Sequence, residues 1–169
     1  MQTENGAPLE IERKFLIEYP DTARLAELAD GDVSEISQTY LTAEAGVSER
    51  VRARTRSGVT IYTHNSKIKL NAMKRIELED EISRAEYEAL LSRADPACRT
   101  VEKTRYCVRD GHFVWEIDVF PFWTDRAFLE VELPREDTPI VLPDFVRVIC
   151  EVTEDDRYTN HALAKRLPE

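Results

Sequence analysis

Charged side chains recur at every second position in one stretch of this chain after another. The pattern opens at residues 10–14 (EIERK) and returns at residues 50–54 (RVRAR). Successive side chains of a β-strand point to opposite faces, so such a segment carries its charges on one face and its apolar residues on the other. The repeated alternation therefore predicts a chain built mainly of strands.

Turn-like breaks separate eight of these segments, and Gly58 and Gly111 fit hairpin turns between them. Three other stretches, residues 22–29, 84–94 and 155–167, have helical periodicity, and the first two follow potential capping residues, Asp21 and Ser83. Strands are predicted near residues 8–18, 37–43, 49–56, 59–70, 74–83, 101–109, 112–120 and 127–133. We therefore expect a single α+β domain over residues 1–169, with a largely antiparallel sheet.

The charge balance limits the classes of partner. The chain has 33 acidic and 23 basic residues among 169, which gives a formal net charge of −10. This balance argues against binding to a nucleic acid polymer, whose affinity comes mainly from basic contacts to phosphate, and favours divalent cations. No stretch reaches the length of a membrane span, and residues 1–8 lack the apolar region of a signal peptide. We expect a cytoplasmic protein with no membrane partner.

Within each predicted strand the charges are largely of one sign. Basic residues are in step at 50–56, 67–69 and 103–105, whereas carboxylates are in step at 116–118 and 130–132. An ordinary sheet with a solvated charged face would explain any one of these rows, but like charges side by side are unfavourable. If the eight strands close into a barrel, the acidic and basic rows meet inside it. Eight strands are near the smallest barrel whose interior holds a small ligand.

Such an interior has a definite chemical preference. Buried charges are costly unless they are paired, so both sets of rows need partners. Mg²⁺ binds through a few carboxylates together with substrate phosphates, and Arg and Lys suit phosphate oxygens. A short polyphosphate or a nucleoside triphosphate with a divalent metal would satisfy both rows.

Over about residues 9–165 the sequence resembles those of the CYTH superfamily, the triphosphate tunnel metalloenzymes. The opening Glu10-x-Glu12-x-Lys14 is similar to the N-terminal signature of the family, and the run EIERKFL is typical of its short bacterial members. Further similar blocks follow in order: Arg52-x-Arg54, a lysine at Lys67 or Lys69, Arg75-x-Glu77-x-Glu79, residues 102–106, Glu116-x-Asp118, Glu130-x-Glu132 and residues 152–160. One block alone is a weak signal, but seven in this order are a strong one.

The resemblance implies an eight-stranded antiparallel β-barrel, or tunnel, with a few flanking helices and a Mg²⁺ or Mn²⁺ cofactor. By position, the phosphate-binding residues would be Lys14, Arg52, Arg54, Lys67, Lys103 and Arg105. The metal ligands would be Glu10, Glu12, Glu77, Glu79, Asp118, Glu130 and Glu132. The catalytic residues would be Lys67, Lys69, Glu130 and Glu132. Two departures from the family pattern stand out: either Lys67 or Lys69 could be the matching lysine, with Lys67 favoured, and Asp156 stands where close relatives often carry lysine.

Metal-dependent hydrolysis of the terminal phosphoryl group of inorganic tripolyphosphate is the leading functional hypothesis. Cyclisation of ATP, as in class IV adenylyl cyclases, is a second, and thiamine or nucleoside triphosphates are further candidate substrates. A non-catalytic polyphosphate-binding module would keep both charge rows without needing the full set of carboxylates. The oligomeric state stays open, and a homodimer is among the alternatives.

Other reactive or aromatic residues show no motif of their own. The three cysteines, which lack CxxC spacing, are expected to be small buried hydrophobes: Cys98, Cys107 and Cys150. The three histidines are dispersed and are expected at surface or loop positions: His64, His112 and His161. Residues 120–123 (FPFW) are expected to pack at a tunnel mouth or loop.

Overall fold

The computed structural model describes residue 6 and residues 8–169 of the chain. Within this part of the chain the elements, in order, are β1 (Leu9–Glu18), α1 (Thr22–Ala29), β2 (Val33–Tyr40), β3 (Val47–Arg56), β4 (Val59–Lys69), β5 (Lys74–Ile82), α2 (Arg84–Leu90), β6 (Val101–Asp110), β7 (Phe113–Val119), β8 (Arg126–Glu132), β9 (Val148–Glu151) and α3 (Asn160–Lys165). Short 3₁₀ turns at Leu91–Arg93 and Asp156–Tyr158 follow α2 and precede α3. None of the helices described is long and apolar enough to cross a membrane.

Eight of the strands close into an antiparallel barrel, which confirms the predicted architecture. Neighbours follow the order β5-β4-β3-β2-β6-β7-β8-β1, and pairing of β1 with β5 completes the circle. One edge of β1 pairs along β8, while its other edge is shared between β5, at residues 9–11, and the short β9, at residues 15–17. The strand β9 therefore continues the edge that β5 leaves open.

The observed elements differ from the predicted ones in four places, one of which is that the predicted helix at 84–94 is α2 followed by the 3₁₀ turn at Leu91–Arg93. The second strand begins at Val33, four residues before the predicted start at 37, because it pairs with β6 from Val33 onward. The strand β9 was not predicted, since four residues without clear alternation give too short a signal. The predicted helix at 155–167 is a 3₁₀ turn followed by α3, which Thr159 caps by accepting a hydrogen bond from the Ala162 N–H at 3.0 Å.

Strand parity places an apolar core on the outer wall of the barrel. Trp115, Ile117, Leu129 and Val131 have no exposed surface, and they belong to one cluster with Leu25 of α1. The alternate residues of the same strands point inward. The inward face is therefore where the charged rows lie.

An aromatic cluster fills one end of the barrel interior. Leu16 and Phe128 follow Lys14 and Glu130 on the inward faces of their paired strands. Phe128 packs edge-on against Phe120, with ring centroids 5.5 Å apart. The cluster also contains Trp123, Tyr158 and Leu163. Phe120 and Trp123 of the FPFW segment are thus buried at this end of the barrel, which becomes an apolar floor beneath the charged rows, while Pro121 is exposed.

Candidate active site

A cavity of about 490 Å³ lies inside the barrel, and all eight barrel strands and the segment after β9 line it. The lining residues for which the sequence predicted a role are Glu10, Glu12, Lys14, Arg52, Lys67, Lys69, Glu77, Arg105, Glu130 and Glu132. Lining residues for which no role was assigned include Arg50, Arg75, Glu116, Asp155, Asp156 and His161. Arg50, Arg75 and Glu116 share the inward parity of their predicted neighbours, so the same alternation contained the signal for them.

Two carboxylates face each other across the β1–β8 pair. Glu12 lies directly opposite Glu132 in the register, an unfavourable arrangement for like charges. Arg75 approaches Glu12 at 3.0 Å. No ion pair among the described residues includes Glu132, which lies at the exposed end of the cavity wall. This pair therefore has room for a further cation.

A second carboxylate pair lies deeper, where Glu116 of β7 is directly opposite Glu130 of β8. Lys14 lies 3.1 Å from Glu130, and Arg105 forms an ion pair with Glu116 and lies 3.7 Å from Glu130. Although burial opposes ionisation, the charges of Lys14 and Arg105 lower the pKa of Glu130 to about 2. Glu130 is therefore an anion that the protein itself largely neutralises.

Glu10 and Glu77 share the ammonium group of Lys67. The Lys67 Nζ lies 3.1 Å from Glu10 and 3.3 Å from Glu77. Burial, helped by the nearby carboxylates of Glu12 and Glu77, raises the pKa of Glu10 to about 8. Burial opposes ionisation of Glu77 as well, but a hydrogen bond from Glu10 and the charge of Lys67 lower its pKa to about 2. Burial thus favours the neutral form of Glu10, in a place where a metal ion could replace the proton.

Positive charge is concentrated on the cavity wall that carries Arg50, Arg52 and Arg105, the positive wall. Burial and repulsion from Arg50 and Arg105 lower the pKa of Arg52 to about 9. The Nε atoms of Arg50 and Arg52 are buried without a hydrogen-bond partner among the described residues. Buried donors without partners are costly, so this wall is suited to an anion with several oxygen atoms.

Beneath the cavity, both carboxylate oxygens of Asp118 accept hydrogen bonds from the cationic side chains of Lys103 and Arg105. Its Oδ2 accepts a hydrogen bond from the Lys103 Nζ at 2.6 Å, and Arg105 donates to both of its oxygens at 2.7 and 2.8 Å. Burial disfavours its charge, but Arg105 and Lys103 hold the pKa of Asp118 well below its usual range. Lys103 and Asp118 have no exposed side-chain surface and do not line the cavity. This pair fixes the position of Arg105, and the phosphate role of Lys103 and the metal role of Asp118 stay predictions.

Two more predicted site residues also lie outside the cavity. The Arg54 Nε donates to the Ser34 Oγ at 2.9 Å, and Glu79 is exposed and accepts a hydrogen bond from Asn65. Both have inward parity, but they lie beyond the end of the cavity along β3 and β5. The roles predicted for Arg54 and Glu79 stay predictions for residues outside the cavity, because parity fixes the face of a residue and not its depth.

The C-terminal segment, residues 152–161, covers one side of the cavity. The Lys14 Nζ donates to the carbonyl of Tyr158 at 3.3 Å, and Lys69 approaches Asp156 at 2.5 Å. The ring of His161 stacks on Tyr40 with a centroid separation of 4.5 Å. Both predicted lysines thus line the cavity: Lys67 lies among carboxylates, whereas Lys69 reaches the covering segment. Tertiary packing brings His161 here, contrary to the expected surface or loop position, and no local sequence signal indicates it.

Comparison with known proteins gives a consistent result. The CYTH domain family model matches residues 8–158. The inorganic triphosphatase of Nitrosomonas europaea is 35% identical over 167 residues, which cover 94% of this chain and 99% of that protein. The crystal structure of an inorganic triphosphatase matches with a TM-score of 0.58 and 31% identity, over 95% of this chain and 97% of that one. A Pyrococcus horikoshii OT3 protein, 21% identical over 76% of this chain and 80% of its own, has the same fold with a TM-score of 0.58.

The buried Asp118 generates a stability prediction. Asp118→Asn removes the buried anion that both Lys103 and Arg105 contact, so the free energy of unfolding should fall by about 3–5 kcal/mol at neutral pH. The depressed pKa contributes stability above the unfolded-state pKa near 3.8, which is lost as the pH falls. The difference in free energy of unfolding between wild type and variant should therefore narrow by about 1.4 kcal/mol per pH unit below pH 3.8. Urea denaturation at several pH values measures both effects.

Asp137→Asn is the matched control, because Asp137 forms an exposed ion pair with Arg135. Exposed ion pairs contribute little, so this variant should unfold almost as wild type does. Equal losses in the two variants would contradict a stabilising role for the buried cluster.

Proposed function

Because this chain belongs to the CYTH family, we propose that it is a triphosphatase that hydrolyses the terminal phosphoryl group of inorganic tripolyphosphate with Mg²⁺ or Mn²⁺. The observation that carries the proposal is one cavity in which, among the residues that the structure describes, arginine donors on one wall lack hydrogen-bond partners and a carboxylate on another lacks an ion-pair partner. The name of the Nitrosomonas relative supports the choice of reaction. We also propose a cytoplasmic location and a small triphosphate as partner, since a net charge of −10 disfavours a nucleic acid polymer.

The positive wall supports the choice of a linear polyphosphate. Arg50, Arg52 and Arg105 would bind its oxygens, with Lys14 and Lys67 as further point charges. Arg105 is held by Asp118 before any ligand arrives, so its charge requires little reorganisation during reaction. A cavity of about 490 Å³ falls within the range of small-molecule sites, roughly 300–1,000 Å³.

The carboxylates fit a hard divalent ion. Glu10, Glu12 and Glu132 would hold it, with Glu77 and Glu130 nearby, and an all-oxygen donor set suits Mg²⁺ or Mn²⁺. The raised pKa of Glu10 and the lack of an ion-pair partner for Glu132 among the described residues both indicate that the protein alone does not balance this side. When bound, such an ion polarises phosphate oxygens and acidifies water.

In the reaction, water attacks the terminal phosphorus in line with the bond to the bridging oxygen. That bond breaks, and the products are orthophosphate and diphosphate. Phosphoryl transfer depends mainly on positioning and on neutralising spread negative charge. Arg52 and Arg105 would neutralise the diphosphate as it leaves, and Lys67 would orient the terminal group.

A substrate panel tests the proposed reaction directly. Tripolyphosphate, ATP and thiamine triphosphate should each be supplied with Mg²⁺ or Mn²⁺ while orthophosphate, diphosphate and cyclic AMP are measured. We expect the fastest orthophosphate release from tripolyphosphate, no cyclic AMP, and loss of turnover when a chelator removes the metal. Cyclic AMP with diphosphate from ATP, or tight binding without any product, would contradict the proposal.

Glu132→Gln should lower kcat for tripolyphosphate by about 10–100-fold or more, because groups that hold or orient a metal contribute at least that much. The fold should stay unchanged, since Glu132 is exposed and has no ion-pair partner among the described residues. Glu102→Gln is the control, because Glu102 is an exposed carboxylate on β6 outside the cavity. Wild-type turnover in Glu132→Gln, with circular dichroism unchanged, would contradict the metal-binding role.

Arg52→Met should raise KM for tripolyphosphate by about tenfold or more, because a charge-assisted hydrogen bond contributes roughly 1.5–3 kcal/mol. Arg56→Met provides a matched control, since Arg56 has the same parity on β3 but is exposed beyond the cavity. Steady-state kinetics at saturating metal measures both variants. Equal KM values in the two variants would exclude Arg52 from phosphate binding.

A further inference from the structure

Three different ligand types meet where the loop before β6 packs against α3. One carboxylate oxygen of Asp95, the sulfur of Cys98 and one ring nitrogen of His161 lie within 4.8 Å of one another. Asp95 and Cys98 come from the loop before β6, whereas His161 belongs to α3. All three side chains are partly buried, and none has a role in the proposed hydrolysis.

A tight turn orients the first two groups. The Ala97 N–H donates to the Asp95 Oδ1 at 2.9 Å, and the Cys98 N–H donates to the Asp95 carbonyl at 3.0 Å. The other carboxylate oxygen, Oδ2, is then the one that faces the Cys98 Sγ, at 3.7 Å. The turn therefore presents one oxygen and one sulfur side by side.

The backbone also holds the histidine against this turn. The Asp95 N–H donates to the carbonyl of Tyr40 at 2.9 Å, and the ring of Tyr40 stacks on His161. The Arg99 N–H donates to the carbonyl of Ala164 in α3 at 2.8 Å. The loop and the helix are thus fixed to each other on both sides of the cluster.

The histidine leaves a polar atom unsatisfied. The Nε2 of His161 is buried and has no hydrogen-bond partner among the residues that the structure describes. A buried ring nitrogen without a partner is costly, and coordination of a metal is one way to satisfy it. This observation is independent of the proximity of the three side chains, and it gives His161 an atom that a bound ligand could satisfy.

We propose that Asp95, Cys98 and His161 bind a transition-metal ion of the zinc class, at a site separate from the carboxylates that would take Mg²⁺ or Mn²⁺. Thiolate and imidazole ligands favour zinc over harder ions, and a carboxylate oxygen is an accepted third ligand. Ligand atoms around tetrahedral zinc are about 3.3–3.8 Å apart, so the cluster needs to contract by roughly 1 Å. The Cys98 thiol releases its proton to water on binding, and a water molecule takes the fourth position.

A metal at this site would cross-link α3 to the loop before β6. The segment that leads into α3 covers one side of the cavity, so the ion would stiffen that cover. Binding to the folded state alone stabilises a protein by mass action, so zinc should raise the melting temperature of the wild-type chain. Neither effect requires triphosphatase turnover.

Cobalt titration of the full-length chain, first stripped of metal with a chelator, tests the proposal. We expect a thiolate-to-cobalt charge-transfer band that saturates at one equivalent of Co²⁺ and disappears when Zn²⁺ is added. Cys98→Ser should abolish the band. His161→Gln should weaken Co²⁺ binding by about tenfold or more, because even partners that only orient a ligand contribute 10–100-fold.

Cys107→Ser and Cys150→Ser are the controls, and both should keep the band, since neither cysteine belongs to the cluster. Co²⁺ held only by the cavity carboxylates gives no thiolate band, so the two sites are distinguished. A wild-type chain without the band, or a band that survives in Cys98→Ser, would overturn the proposal. A chain with the band but without triphosphatase activity would support the zinc site while contradicting the proposed function.

Discussion

Closure of β1 against β5 forces charged side chains from all around the barrel into one interior. Each strand turns alternate residues inward, and the register then places Glu12 opposite Glu132 and Glu116 opposite Glu130. Like charges in such positions repel each other, and burial raises the free-energy cost of the repulsion. The fold is stable only if these charges are compensated, and the manner of compensation divides the interior into layers.

The deepest layer is apolar and aromatic, around Phe128. Asp118 lies directly opposite Phe128 in the β7–β8 register, and its charge is balanced within the protein by Lys103 and Arg105. The uppermost layer is compensated only in part, because burial disfavours the charge of Glu10 and Glu132 lacks an ion-pair partner among the described residues. The charges that stabilise the fold and those proposed to bind a ligand therefore lie at different depths of one charged interior. A metal ion with a polyphosphate would complete what the protein leaves open.

Much of this arrangement could be predicted from the sequence, because alternation of charged and apolar residues with a period of two is a strong signal for strands. It predicted the eight barrel strands and the inward face of each charged row, and the resemblance supplied the family. It did not supply depth: Asp118 and Glu130 look alike in sequence, yet only Glu130 lines the cavity. The position of His161 against Asp95 depends on how α3 packs, and no local pattern encodes such a contact.

The central claim is that the carboxylate side of the cavity takes a divalent metal while the arginine side takes phosphate oxygens. Anomalous diffraction from crystals grown with Mn²⁺ and a non-hydrolysable triphosphate analogue tests it most directly. We expect a manganese peak at the carboxylates of Glu12 and Glu132, with analogue oxygens in contact with both the metal and Arg52. Manganese and analogue bound only outside the barrel, with the cavity free of both, would contradict this account.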